Sequence, residues 1–182
     1  GNRNRRQFLG TTLALGLLSQ VRGVWGAAPS TSEREQAVIR GIEFLRTKGQ
    51  ADDGSYTKAT GPAVTALVTA AILRHGRSPN EPLVAKSLKY LESFVREDGG
   101  IYQVDSGHRN YETCLSILAF SAANKDGRYT PLLKKAEAFV KSLQWDEDEG
   151  HEKSSPNYGG AGYGKSKRPD LSNTAFMLDA LK

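Results

Sequence analysis

The stretch Arg40-Gly41-Ile42-Glu43-Phe44-Leu45, followed by Gln50, Gly54 and Tyr56, decides how the chain is read, because it returns. Forty-six residues on, Lys86-Ser87-Leu88-Lys89-Tyr90-Leu91 is followed by Arg96, Gly100 and Tyr102. A third copy starts at Lys135-Ala136-Glu137-Ala138-Phe139-Val140 and, across a longer loop, reaches Gly159-Gly160-Ala161-Gly162-Tyr163. Each copy leads into a second segment with a matched threonine: Thr65-Ala66-Leu67, Thr113-Cys114-Leu115 and Thr174-Ala175-Phe176. A period of about 40 to 50 residues marks stacked units that cannot bury their apolar faces alone.

Each unit reads as two helices of different character. In the first, apolar positions recur at helical spacing (Val38, Ile42, Leu45; Val84, Leu88, Leu91; Leu133, Ala136, Val140), while residues such as Arg40, Glu43, Lys86, Lys89 and Lys134 hold the other side. Such helices have one wet face. The second segments, over 62–73, 113–123 and 171–181, are almost uncharged and are predicted to be buried all round. Thr60 with Pro62, Asn110 and Asp170 stand where helix starts belong. Asp52-Asp53-Gly54, Asp98-Gly99-Gly100 and Gly159-Gly160 supply turn chemistry between the helices. No alternating strand pattern is present, so the expected fold is all-α, built of helical hairpins.

Composition agrees. The 182 residues are 38% hydrophobic and 25% charged, which excludes a disordered tail, a collagen-like fibre and a multi-span membrane protein. Arg3, Arg5, Arg6 and Arg22, taken from the 25 basic residues, leave 21 against 20 acidic ones, so the net charge of +5 belongs mostly to the N-terminus. The body lacks the basic excess that nucleic acid requires. The single cysteine, Cys114, excludes an internal disulfide and a multi-thiolate zinc site.

Asn4-Arg5-Arg6-Gln7-Phe8-Leu9-Gly10 resembles a bacterial twin-arginine export signal, with Arg5 and Arg6 as its pair. An apolar run from Phe8 to Leu18 and a small-residue site around Ala27 complete the pattern, whereas an amphipathic helix packed on the body would carry acids that are missing here. The resemblance implies a signal over 1–26, a linker over 27–32 and a repeat domain over 33–182, with repeats of about 33–76, 80–126 and 129–182. It also implies export in folded form to the periplasm or the cell exterior.

The repeat itself resembles the QW motif of the squalene cyclase and protein prenyltransferase superfamily: a basic residue and Gly (Arg40, Gly41), an aromatic (Phe44, Tyr90, Phe139), a Gln (Gln50), then Gly and an aromatic (Gly54 and Tyr56, Gly100 and Tyr102, Gly160 and Tyr163). Tyr56 replaces the usual Trp, Ser87 and Arg96 replace Gly and Gln in the second copy, and the third is interrupted between Trp145 and Tyr158. The resemblance implies an α/α toroid in which the Gln caps helix ends and the aromatic stacks on the repeat. On that reading Tyr102 is a buried aromatic, worth about 3 to 5 kcal/mol. Closed rings of the superfamily take about six hairpins, roughly 280 residues at this period. Three hairpins imply an incomplete ring whose inner helices need self-association or further repeats to cover them.

Chemistry is harder to read. Cyclases of the superfamily use an Asp-rich acid in an aromatic-lined cavity; the run Asp146-Glu147-Asp148-Glu149 reads instead as a solvated cluster, and the inner aromatics are few (Tyr111, Phe120, Phe176). Prenyltransferase β subunits bind zinc through Asp, Cys and His, but Glu112 stands where the resemblance would need the His. Cys114 on an apolar helix reads as a core residue, so no metal and no cofactor are expected. Asp53, Asp98, Asp105, Glu112 and Asp170 lie near the loops entering the second helices, either as acid-base groups around one mouth or as caps for those helices. Residues 150–167 read as a gating loop or as the third turn. They contain a P-loop string by letter (Gly159, Gly164, Lys165, Ser166), but no strand precedes it. The expected function is a binding or scaffold domain without a catalytic constellation. Its ligand would be apolar and isoprenoid-like, or a polysaccharide. The alternative is the N-terminal part of a terpenoid-cyclase-type or other toroid enzyme, a polyene cyclase or a polysaccharide-active one, whose catalytic residues lie outside this segment.

Overall fold

Ser30 and Glu33 open the first helix: the Ser30 hydroxyl accepts from Glu33 N–H (3.2 Å) and the Glu33 carboxylate accepts from Ser30 N–H (2.7 Å). This capping box satisfies two orphan donors and starts α1 at Thr31, so Thr31 and Ser32 are helix rather than linker. The computed structural model describes residues 30–164, 168 and 170–182. The 1–26 export signal, with Arg5 and Arg6, and positions 27–29 lie outside them.

Among the described residues six α-helices follow one another: α1 (Thr31–Phe44), α2 (Ala63–Arg74), α3 (Pro82–Glu92), α4 (Arg109–Ala123), α5 (Thr130–Lys141) and α6 (Leu171–Ala180). Among the described residues there is no strand, only one antiparallel bridge between Val95 and Ile101. The mostly apolar helices α2, α4 and α6 pack side by side in that order; α3 packs on α2 and α5 on α4. The chain is therefore all-helical, with amphipathic helices outside an apolar set. No helix among the described residues is long and apolar enough to cross a membrane.

Only α4 is buried nearly all round. It lies between α2 and α6, and Leu115, Ile117, Ala119 and Phe120 are each at most 1% exposed. α2 and α6, each flanked on one side only, leave Leu67, Leu171 and Leu178 in solvent. Asn110 is not the cap of α4 but a buried residue in its first turn, donating from Nδ2 to the Gly162 carbonyl at 2.8 Å. Asp170 does cap α6, accepting from Asn173 N–H at 2.9 Å.

The repeat is held by a corner that recurs three times. Ala51 N–H donates to Ser55 O, Arg96 N–H to Gly100 O and Trp145 N–H to Gly160 O. In each corner a left-handed glycine follows: Gly54, Gly99 and Gly159, with φ of 89°, 90° and 77°. The next amide but one is tied to the matched threonine, as Tyr56 N–H donates to Thr65 Oγ1, Ile101 N–H to Thr113 Oγ1 and Ala161 N–H to Thr174 Oγ1. These bonds align Gly54 with Gly99, not Gly100, and Tyr56 with Ile101 and Ala161, not with Tyr102 and Tyr163.

The cause of the one-residue offset lies upstream. α1 ends in a π-helical turn, Leu45–Gly49, closed by Gln50 N–H on Leu45 O at 2.8 Å, and such a turn absorbs one extra residue. From the first repeat to the second, the outer helices are therefore offset by 46 residues and the corners by 45. The same alignment pairs Gln50 with Gln144, whose Nε2 groups both reach the corner carbonyl, of Gly54 at 3.5 Å and Gly159 at 3.0 Å. Val95, not Arg96, occupies that position in the second repeat.

Candidate functional site

The ends of α2, α4 and α6 at which the chain enters from the corners surround a cleft of about 750 Å³. α2 contributes Ala63 and Val64, α4 contributes Tyr111 and Glu112, α6 contributes Ser172 and Phe176, and the loop 103–108 forms one wall. Four rings cluster there: Tyr111 meets Phe176 edge-on with centroids 5.3 Å apart, His108 meets Tyr163 edge-on at 5.0 Å, and Tyr111 and Tyr163 lie 6.3 Å apart. Offset and edge contacts of this kind hold rings in place while leaving a face free. Val104, Asp105, His108 and Tyr163 stand exposed at the rim.

Glu112 organises the wall. It is 4% exposed, and its two oxygens accept from Gln103 N–H at 2.8 Å and the Ser106 hydroxyl at 2.6 Å. Ser106 Oγ in turn accepts from His108 N–H at 3.0 Å. One buried carboxylate thus fixes the loop that carries Val104, Asp105 and His108, because a buried acceptor left without donors would be costly. Asp105, at the tip, has a left-handed backbone with φ of 61°, which Asp tolerates better than most residues.

Opposite this loop the chain segment 162–164 straps the start of α4. Its carbonyls do the work: Tyr163 O accepts from Asn110 N–H at 3.1 Å, Gly162 O from Asn110 Nδ2 and Gly164 O from Arg109 Nη2 at 3.4 Å. The strap caps α4 with backbone oxygens in place of a side chain. A phosphate cradle requires amides facing inward, whereas this segment spends its carbonyls on a helix; Lys165 and Ser166 lie outside the described residues.

The other acidic candidates hold corners and a helix cap. Asp53 accepts from Ser55 N–H and its hydroxyl at 3.1 and 2.7 Å, and these bonds hold its carboxyl below the usual range. Asp98 accepts from Gly100 N–H at 2.9 Å and the Tyr102 hydroxyl at 2.5 Å. Asp170 accepts from the Ser172 hydroxyl and from Asn173, which lowers its pKa to about 2. Asp53 borders a separate groove with Lys86, Lys89 and Tyr90, and Asp170 another beside Tyr158. Of the predicted carboxylates the structure brings only Glu112 and Asp105 into the cleft.

Cys114 is fully buried; its thiol donates to Asn110 Oδ1 at 3.2 Å and burial pushes its pKa up to about 12, the signature of an inert core thiol. Among the described residues no group of three His, Cys, Asp or Glu is placed to hold a metal ion. Tyr102 lies outside the cleft, half-buried, stacked on Phe139 at 5.5 Å and flanked by the guanidiniums of Arg96 and Arg109. Tyr56 packs against Gly49, and desolvation raises its pKa. The insertion is closed at its base by Trp145 and Gly160, with the Trp145 ring stacked on His151; the acids 146–149 form a turn capped by Asp146.

Comparison of the chain with known protein families, with curated proteins and with solved structures finds no match.

Proposed function

We propose that the chain is an exported helical-hairpin repeat domain, curved in the manner of an α/α toroid, that binds an elongated saccharide in the cleft at the mouth of its inner helices. The cluster of Tyr111, Tyr163, Phe176 and His108 carries this reading. Aromatic faces at an open rim suit the C–H faces of sugar rings, and Asp105, Ser172 and Thr60 sit beside them to meet hydroxyls. A long isoprenoid chain would need enclosure on all sides, and the exposed rim offers none. Binding without turnover fits the engagement of four of the five acids: Glu112 is spent on its loop, Asp53 and Asp98 on their corners, and Asp170 on the cap of α6.

Isothermal titration with neutral oligosaccharides of a few sugars tests the proposal, with farnesol as the apolar comparison. The expected result is saccharide binding that weakens at least tenfold in Tyr163→Ala, with the oligosaccharide recovered intact. Binding of farnesol alone, cleavage of the saccharide, or affinity unchanged in Tyr163→Ala would overturn it.

A further inference from the structure

One contact joins repeat to repeat, it is used twice, and its two halves are exposed on the first and third described repeats. In that contact the left-handed corner glycine of one repeat lands on the outer helix of the next. A Cβ on Gly54 would lie 2.3 Å from Lys86 O, and one on Gly99 would lie 2.7 Å from Lys135 O. Gln50 adds bonds from Nε2 to Leu83 O at 2.7 Å and Ser87 Oγ at 2.9 Å, and Phe139 adds its stack on Tyr102.

The third corner has the same shape and, among the described residues, receives no outer helix. Among the described residues, a Cβ on Gly159 would meet Gln144 Nε2 alone, at 3.8 Å, and Gln144 bonds to its own corner. Beside it runs a groove of about 390 Å³ between residues 156–160 and the start of α6. On α6, Leu171, Ala175 and Leu178 correspond through the threonine alignment to Asn110, Cys114 and Ile117 of α4. Those three are buried, whereas Leu171 is 90% and Leu178 58% exposed.

The complementary half is on α1. Arg40 and Phe44 correspond to Lys86 and Tyr90 of α3 and to Lys135 and Phe139 of α5; Tyr90 and Phe139 are buried, while Phe44 is 62% exposed. Gly41, at the place of Ser87 and Ala136, has open space around it. Charge matches as well. At the first joint Asp52 and Asp53 share a groove with Lys86 and Lys89, and the third corner leads into the acids 146–149 while α1 presents Arg40.

We propose that a second copy of this chain docks its α1 against the third corner and α6 of the first, head to tail, in the register of the internal joints. Such a contact is heterologous: two copies meeting at both ends close a ring, and otherwise the contact propagates. The proposal is independent of what the cleft binds.

Sedimentation equilibrium of the 182-residue chain tests it, with Phe44→Asp and Leu178→Asp as variants. Both side chains are largely exposed, so the helical circular dichroism of each variant stays that of the parent. The parent is expected to self-associate with rising concentration, each variant alone to need at least tenfold more protein, and an equimolar mixture of the two to recover association through its one intact joint. A parent that stays monomeric, variants that associate like the parent, or a mixture no better than its components would each overturn the proposal.

Discussion

Gly54 shows at the scale of one residue why the corner tolerates so little change. Its φ of 89° is unfavourable for a residue with a Cβ, and the Lys86 carbonyl stands where that Cβ would go. Gly54→Ala is expected to cost about 2 to 5 kcal/mol in chemical denaturation, adding the left-handed penalty to overpacking. Gly159→Ala meets only the backbone penalty, about 1 to 2 kcal/mol, because its site is open. Equal losses would contradict the joint described here. Tyr102 is half-buried where full burial was expected, so Tyr102→Ala should cost about 1.5 to 3 kcal/mol, below the range for a fully buried ring. Asp170 gives a pH signature. Its folded pKa of about 2 lies below the ordinary carboxyl value, so its contribution is complete above that value and is lost as pH falls from near 4 towards 2. Asp170→Asn should flatten the fall of melting temperature with pH across that window, and an unchanged slope would remove Asp170 as a cap of consequence.

At the scale of the element, α4 and the loop it holds decide the cleft. Glu112→Ala leaves Gln103 N–H and the Ser106 hydroxyl without their acceptor, an expected loss of about 2 to 4 kcal/mol with faster amide exchange over 103–108. Glu112→Gln keeps one acceptor and should cost about half as much; exchange unaltered in both would show that the loop holds itself. The helices were legible because their apolar spacing is set by burial, and the matched threonines mark the inner ones. The corner register was not legible, since a coincidence of Gly and Tyr at 46 residues hid a π-helical turn that shifts the corners to 45. The capping box at Ser30 and Glu33 follows from the Ser-x-x-Glu spacing in the sequence. The cleft was legible only through Glu112, Asp105 and the aromatics Tyr111, Tyr163 and Phe176 taken singly. What gathers them is the loop 103–108, which has no periodicity for burial to imprint.

For the whole molecule, the same alignment explains both what the array buries and what it leaves open. α4 is covered because a hairpin follows it on each side, and α1 and α6 expose the matching halves of that contact. In the cleft all three inner helices bring side chains together. The measurement that bears on this most directly is an aromatic and methyl NMR titration of the chain with a neutral oligosaccharide. Shifts confined to Val64, Val104, His108, Tyr111, Tyr163 and Phe176, with Tyr56 and Tyr102 unmoved, are the expected result. Shifts centred on the corner tyrosines, or none at saturating saccharide, would contradict it.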